Sequence, residues 1–170
     1  GERAAYCVEA SAVVPPALVE IDLESGQKTV LLDPNATLRS RYRPKVEPIS
    51  IALADGRVLA AHSLSTDRTP AKAPLFVNYY RCDGFLRGGE GDEWPLAALL
   101  DAGFRAVCIN AAPFIGPQDA VATYDTGLAA VRVLVDTLTQ RGLIDPRRVA
   151  MGGFSFGSEV AMWTAMKSDL

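Results

Sequence analysis

The stretch Gly153-Phe154-Ser155-Phe156-Gly157 restricts the fold of this chain more than any other, because it matches the Gly-x-Ser-x-Gly elbow that carries a serine between a buried strand and a helix. The glycines two before and two after the serine lack Cβ atoms, so strand and helix can approach closely enough for the turn to fit. Ser155 is thereby pushed into the open. The N–H of Phe156, at a helix N-terminus, is then available to stabilise negative charge on an oxygen. The letters alone are common, and the flanks supply the context. Arg148-Val149-Ala150-Met151 reads as a short buried strand, while Phe156, Val160 and Trp163 recur at helical spacing. The competing reading is a Gly-Ser turn in an α/β protein with no chemistry at it.

What precedes the elbow changes character along the chain. Residues 1–34 look all-β: Ala5 to Val8 is a strand, and the runs 17–23 and 28–32 flank Glu24-Ser25-Gly26-Gln27 as a hairpin. A hairpin with one more strand cannot bury a face alone, so this part is expected to belong to a larger sheet array, with a propeller blade as one candidate. Residues 35–45 are polar and punctuated by proline, as a linker is. Val46 to Ala54 and Arg57 to Leu64 then flank Asp55-Gly56, a strong hairpin signal.

From Pro74 strands and helices alternate. Residues 75–80 form a strand followed by a Gly-rich loop, 83–92; Trp94 to Ala102 is a short helix stopped by Gly103; residues 104–110 are another buried strand. A long helix runs from about Pro117 to Arg141, with Val121, Tyr124, Leu128, Val131, Val135 and Leu138 on one face and Gly142 as its stop. This order predicts an α/β fold with a mostly parallel, doubly wound sheet covered by helices on both faces.

Several classes of function are disfavoured. A net charge of −3 from 17 basic and 20 acidic residues gives no footprint for nucleic acid or an anionic membrane. The run Arg39, Arg41, Arg43 and Lys45 reads as a solvated linker, since only Tyr42 accompanies it as a stacking platform. Cys7, Cys82 and Cys108 are three in number and lack Cys-x-x-Cys spacing, which argues against a disulfide framework and a zinc site; Cys108 reads as a buried thiol. Gly84, Gly88, Gly89 and Gly91 follow a strand, but no phosphate-loop signature accompanies them. No apolar stretch reaches the roughly 18 residues of a membrane span, and the start does not read as a signal peptide.

Asp145-Pro146-Arg147-Arg148-Val149 and Gly153-Phe154-Ser155-Phe156-Gly157-Ser158-Glu159, after a β-rich segment and an α/β start, resemble the prolyl oligopeptidase family of serine hydrolases. Its members join a β-propeller to an α/β-hydrolase domain. Tyr79-Tyr80-Arg81-Cys82-Asp83-Gly84-Phe85-Leu86-Arg87-Gly88-Gly89, with Asp92-Glu93-Trp94-Pro95-Leu96 and the elbow, is most similar to the lasso-peptide isopeptidases. Those enzymes hydrolyse the bond that closes the ring of a threaded peptide.

The resemblance implies residues 1–34 as the end of a propeller, 35–45 as a linker and 46–170 as the N-terminal half of a truncated hydrolase domain. It makes Ser155 the nucleophile and the Phe156 N–H one oxyanion donor, with Gly153, Phe154 and Gly157 shaping the elbow. A tyrosine hydroxyl at the end of the strand before the Gly-containing loop is the second donor. Tyr80 fits that position better than Tyr79, and strand alternation lets only one of the two reach it. The implied partner is a peptide, with no metal, organic cofactor, nucleic acid or membrane, in a soluble protein of the bacterial cytoplasm or periplasm.

One departure matters. Such hydrolases need Ser, then Asp or Glu, then His, in chain order. After Ser155 only Glu159 and Asp169 are acidic, and no histidine follows. Glu159 lies one turn into the helix, where compensation of helix N-terminal charge is its expected role. His62, the sole histidine, falls on a hairpin strand and reads as a strand residue before it reads as a base. The chain is therefore expected to lack its triad partners and to turn over little by itself. A general prolyl oligopeptidase or acylaminoacyl-peptidase, and a non-catalytic binding module on the same scaffold, are the alternatives.

Overall fold

A computed structural model describes residues 3–82, 95–111 and 119–170. The Gly-rich loop, Trp94 and the expected first residues of the long helix lie outside them.

Three antiparallel strands, β1 (Ala4–Ser11), β2 (Val14–Asp22) and β3 (Lys28–Leu32), form one sheet in that order. The β2–β3 turn is closed by Asp22, whose Oδ1 accepts from the N–H groups of Glu24 and Ser25 at 3.0 and 2.7 Å, and Gly26 takes φ +73°. The 35–45 segment contains a short helix, α1 (Ala36–Arg41), anchored where Arg39 meets Asp33 at 3.0 Å and donates to the Pro15 carbonyl at 3.2 Å.

The second sheet holds β4 (Lys45–Ala52), β5 (Val58–Ser65), β6 (Ala73–Tyr80), β7 (Arg105–Asn110) and β8 (Ile144–Gly153), in the order β4-β5-β7-β6-β8. The β4–β5 hairpin turns at Asp55-Gly56, and β7, β6 and β8 run parallel. Because β5 opposes both β4 and β7, four of the five strands point the same way, as the alternating pattern predicts.

Strand residues of alternate parity face opposite layers. Ile49, Ile51, Leu75, Val77, Tyr79, Val107 and Ile109 meet α3 (Ala120–Gln140) and α4 (Phe156–Lys167) through Val131, Leu134, Val135, Leu138 and Val160. Leu64, Phe76, Ala106 and Cys108 face the other way, onto Leu96 and Leu100 of α2 (Leu96–Asp101). Helices thus cover both faces of the central strands.

The long helix is capped at both ends. Asp119 accepts from the Val121 N–H at 2.9 Å, and Gly142, at φ +67°, allows Leu143 to donate to the Leu138 carbonyl at 2.9 Å in a Schellman closure. Its buried stripe begins one turn later than the spacing predicts. Val121 is 43% exposed, whereas Tyr124, half-buried, packs against the core and the ring of Phe156.

Candidate active site

The carboxyl ends of β6 and β8 lie side by side, with Tyr79 opposite Gly153. Beyond that row β8 breaks into the elbow. Ser155 has φ +51°, a conformation that costs an L residue about 1–3 kcal/mol and persists only where the surroundings hold it there. The holding bonds are local: Gly157 N–H to the Phe154 carbonyl at 2.9 Å, and Ser158 N–H and Oγ to the Ser155 carbonyl at 2.9 and 2.6 Å. The Ser155 side chain is exposed and caps no N–H of α4. Phe156, first residue of that helix, contributes one of the N–H groups for which an α-helix has no internal acceptor.

The two elbow glycines are required by contact as well as conformation. A Cβ on Gly153 would strike the Gly157 backbone, and one on Gly157 would strike the Tyr79 carbonyl oxygen and lie 3.2 Å from the Tyr80 Cβ. Strand β6 and the first turn of α4 therefore touch backbone to backbone.

That contact separates the adjacent tyrosines. Tyr79 is 2% exposed, buried on the α3 side against Gly127, and burial pushes its phenol up to about 12. Tyr80 is half-buried at the strand end, with φ +111° and its carbonyl accepting from the Ala111 N–H at 3.0 Å. Its ring meets Phe156 edge-on at 5.8 Å and carries the Arg81 guanidinium 5.0 Å above it. Phe156 is the hub of this cluster, 6.2 Å from Tyr79 and 6.0 Å from Tyr124, which in turn contacts Trp163 at 5.8 Å. Phe154, between the elbow glycine and the serine, is 63% exposed.

Of the acidic residues, Glu159 is exposed in the first turn of α4 and accepts from the Tyr124 hydroxyl at 2.5 Å, which raises the Tyr124 pKa. No motif marks this pairing, since the two residues lie 35 positions apart. A groove of about 410 Å³ runs beside them, lined by Tyr124, Glu159, Met162, Trp163, Ala165 and Met166. His62 lies on β5 opposite Cys108, three strands from β8. At about 4.8 Å per strand that is roughly 14 Å, beyond hydrogen-bond reach of the elbow.

The cysteines overturn the expectation of a buried thiol and no disulfide. Cys82 and Cys108 are bonded, with Cα atoms 5.7 Å apart and 26 residues between them in sequence, and Cys7 is free and exposed. Odd number and absent Cys-x-x-Cys spacing were poor guides because the bond depends on parallel pairing. Cys108 sits opposite Asn78 on the neighbouring strand, and Cys82 follows β6 by two residues. Among the described residues, no three His, Cys, Asp or Glu side chains converge as a metal site, and no helix is long and apolar enough to cross a membrane.

The fold built around this elbow is that of the prolyl oligopeptidase-family peptidases. The chain superposes on the acylaminoacyl peptidase of Pyrococcus horikoshii with a TM-score of 0.74 at 15% identity, over 99% of this chain and 28% of that one. A prolyl endopeptidase matches with a TM-score of 0.69 at 17% identity, over 98% and 25%. No family model matches the sequence. More specifically, the chain is a homologue of the lasso peptide isopeptidase AtxE2 of Asticcacaulis excentricus, 37% identical over 169 residues. That alignment takes in 89% of this chain and 24% of the isopeptidase, so the chain spans about a quarter of its relative's length. The structure of an AtxE2 variant with Astexin3-dC4 bound matches with a TM-score of 0.83 at 32% identity, over 99% of this chain and 28% of that one.

Proposed function

We propose that this chain carries the nucleophile and oxyanion part of a serine peptidase that hydrolyses the isopeptide bond of a lasso peptide. The observation that carries the reading is Ser155, lifted into solvent at φ +51° on an elbow whose sequence relative is a lasso peptide isopeptidase. In the mechanism, Ser155 Oγ attacks the side-chain carbonyl of the ring-closing Asp or Glu. The Phe156 N–H and the Tyr80 hydroxyl donate to the oxygen as it gains charge. Collapse of the tetrahedral intermediate releases the peptide's N-terminal amine and leaves an acyl group on Ser155, which water then removes. Gly153, Phe154 and Gly157 hold the turn.

Two protons need a base that also serves as acid, and His62 is roughly 14 Å away. The role therefore falls to a histidine, with its orienting carboxylate, that this chain does not supply, and the chain by itself turns over little. Residues 1–34 serve as the end of a propeller, 35–45 as a linker and 46–170 as the first half of the hydrolase domain. A buried disulfide favours the periplasm over the cytoplasm as the working compartment.

The test is made on the complete protein. A fluorophosphonate probe labels Ser155, Ser155→Ala abolishes labelling, and cleavage of a threaded lasso peptide falls by about 10⁴-fold or more in that variant. Cleavage of linear prolyl peptides alone would support a general oligopeptidase or acylaminoacyl-peptidase instead. Absence of labelling would leave a binding module.

A further inference from the structure

The residue proposed as the second oxyanion donor occupies an unfavourable backbone conformation at the end of a strand, and something must hold it there. At φ +111° Tyr80 lies where side chains other than glycine rarely go, and the energy cost of about 1–3 kcal/mol persists only where the surroundings over-determine the geometry. On the β7 side, the Ala111 N–H grips the Tyr80 carbonyl at 3.0 Å. On the α4 side, Gly157 closes against the Tyr79 carbonyl and the Tyr80 Cβ. The third constraint is covalent. Two residues beyond Tyr80, Cys82 is bonded to Cys108, which lies in β7 three residues before Ala111.

The chain leaving β6 is therefore tied to β7 by a hydrogen bond at Tyr80 and a disulfide at Cys82. Tyr80 cannot relax toward ordinary extended backbone without dragging both. Cys82 and Cys108 are 3% and 0% exposed, and Asn78 Nδ2 donates to the Cys108 sulfur at 3.2 Å, so the bond sits inside the α2-side core rather than on a strippable surface. A disulfide needed only to staple two neighbouring strands could sit anywhere along β6 and β7. This one sits at the end that presents Tyr80.

We propose that the Cys82–Cys108 disulfide is a positioning element of the active site: it holds the backbone of Tyr80 in the twist that aims its phenol at the oxyanion, and its cleavage lowers kcat through Tyr80. The proposal rests on the role given to Tyr80 above. Cleavage is an ordinary exchange. A dithiol supplies two electrons, the S–S bond breaks, each sulfur takes a proton, and the reagent closes to its own disulfide.

The complete protein again supplies the assay. Non-reducing peptide mapping after native alkylation should return one linked pair containing Cys82 and Cys108, with Cys7 alkylated; alkylation of all three would overturn the proposal without reference to activity. The Cys82→Ala/Cys108→Ala double variant should lose about tenfold in kcat with KM within about twofold.

The deciding measurement is a double-mutant cycle. Tyr80→Phe should cost about 100-fold in kcat in the disulfide-bonded parent and about tenfold or less in the Cys82→Ala/Cys108→Ala background, because a donor already out of place has less to lose. Equal costs in both backgrounds would make the disulfide a general staple and overturn the proposal. A parent in which Ser155 labels normally but Tyr80→Phe costs nothing would overturn it while leaving the serine peptidase reading intact. Loss of labelling would remove that reading as well.

Discussion

The two sheets are built from similar residues and end up in opposite circumstances. In β3 every residue is exposed, Val30 at 61% and Leu32 at 59%, whereas in β6 and β7 Leu75, Val77 and Val107 are all at 0%. In β2 only Pro15, Ala17 and Val19, on one face, are buried, while the central strands of the larger sheet are covered on both sides. Strand propensity is thus common to both, and the difference lies in what lies above and below. Cover converts a strand into a rigid support. Of the two strands that end at the candidate site, β6 is buried from Ala73 to Tyr79, whereas β8, at the sheet edge, buries only Ile144 and Gly152. Arg148 to Met151 is therefore not the buried strand its residues suggest.

Three measurements would sharpen or break that contrast. The largest effect is expected for Leu134→Ala, which empties a fully buried position between α3 and the large sheet and should cost about 3 kcal/mol in urea unfolding. Next comes the alkaline limb. Tyr79, held up to about 12 by burial, keeps its proton in the folded state while the unfolded chain loses it near 10. Unfolding then releases a proton, so this contribution is intact below pH 10 and falls as pH rises toward 12. Between those limits the parent should lose about 2 kcal/mol more than Tyr79→Phe does. Smallest is Val30→Ala in β3, expected within about 0.5 kcal/mol. A Val30→Ala cost equal to that of Leu134→Ala would erase the distinction between the sheets.

Much of this was readable in the letters. Asp55-Gly56 fixed one hairpin, Gly142 stopped the long helix, and the 3-4 spacing of Leu128, Val131, Val135 and Leu138 gave its buried stripe. The elbow followed from two glycines and a serine because contact with a neighbouring backbone leaves no alternative to glycine. Other features depended on partners distant in sequence. Val121 continued the apolar rhythm of α3 yet lies 43% exposed, since rhythm reports a face and not how far its cover extends. The disulfide was invisible because residues 26 apart become neighbours only once β6 and β7 pair in parallel. Phe156 looked like a backbone donor with a core side chain, and its place among three tyrosine rings emerged only when α3 brought Tyr124 alongside.

The turn after α3 ties down the opposite end of the same two strands. Lys72 and Ala73 donate to the carbonyls of Gly142 and Leu143 at 3.2 Å, and Ala73 faces Ile144 at the start of β8. The register of β8 shifts between Ile144 and Val149, but β6 runs on from this origin without a break, and its reach to Tyr80 is a count of residues. Deleting a single residue between Leu75 and Asn78 would bring Tyr80 to the place Tyr79 now holds and send its phenol into the α3 core. Sequence drift along β6 can therefore be generous in side-chain identity and strict in number, a ruler whose markings may be repainted but whose length cannot change.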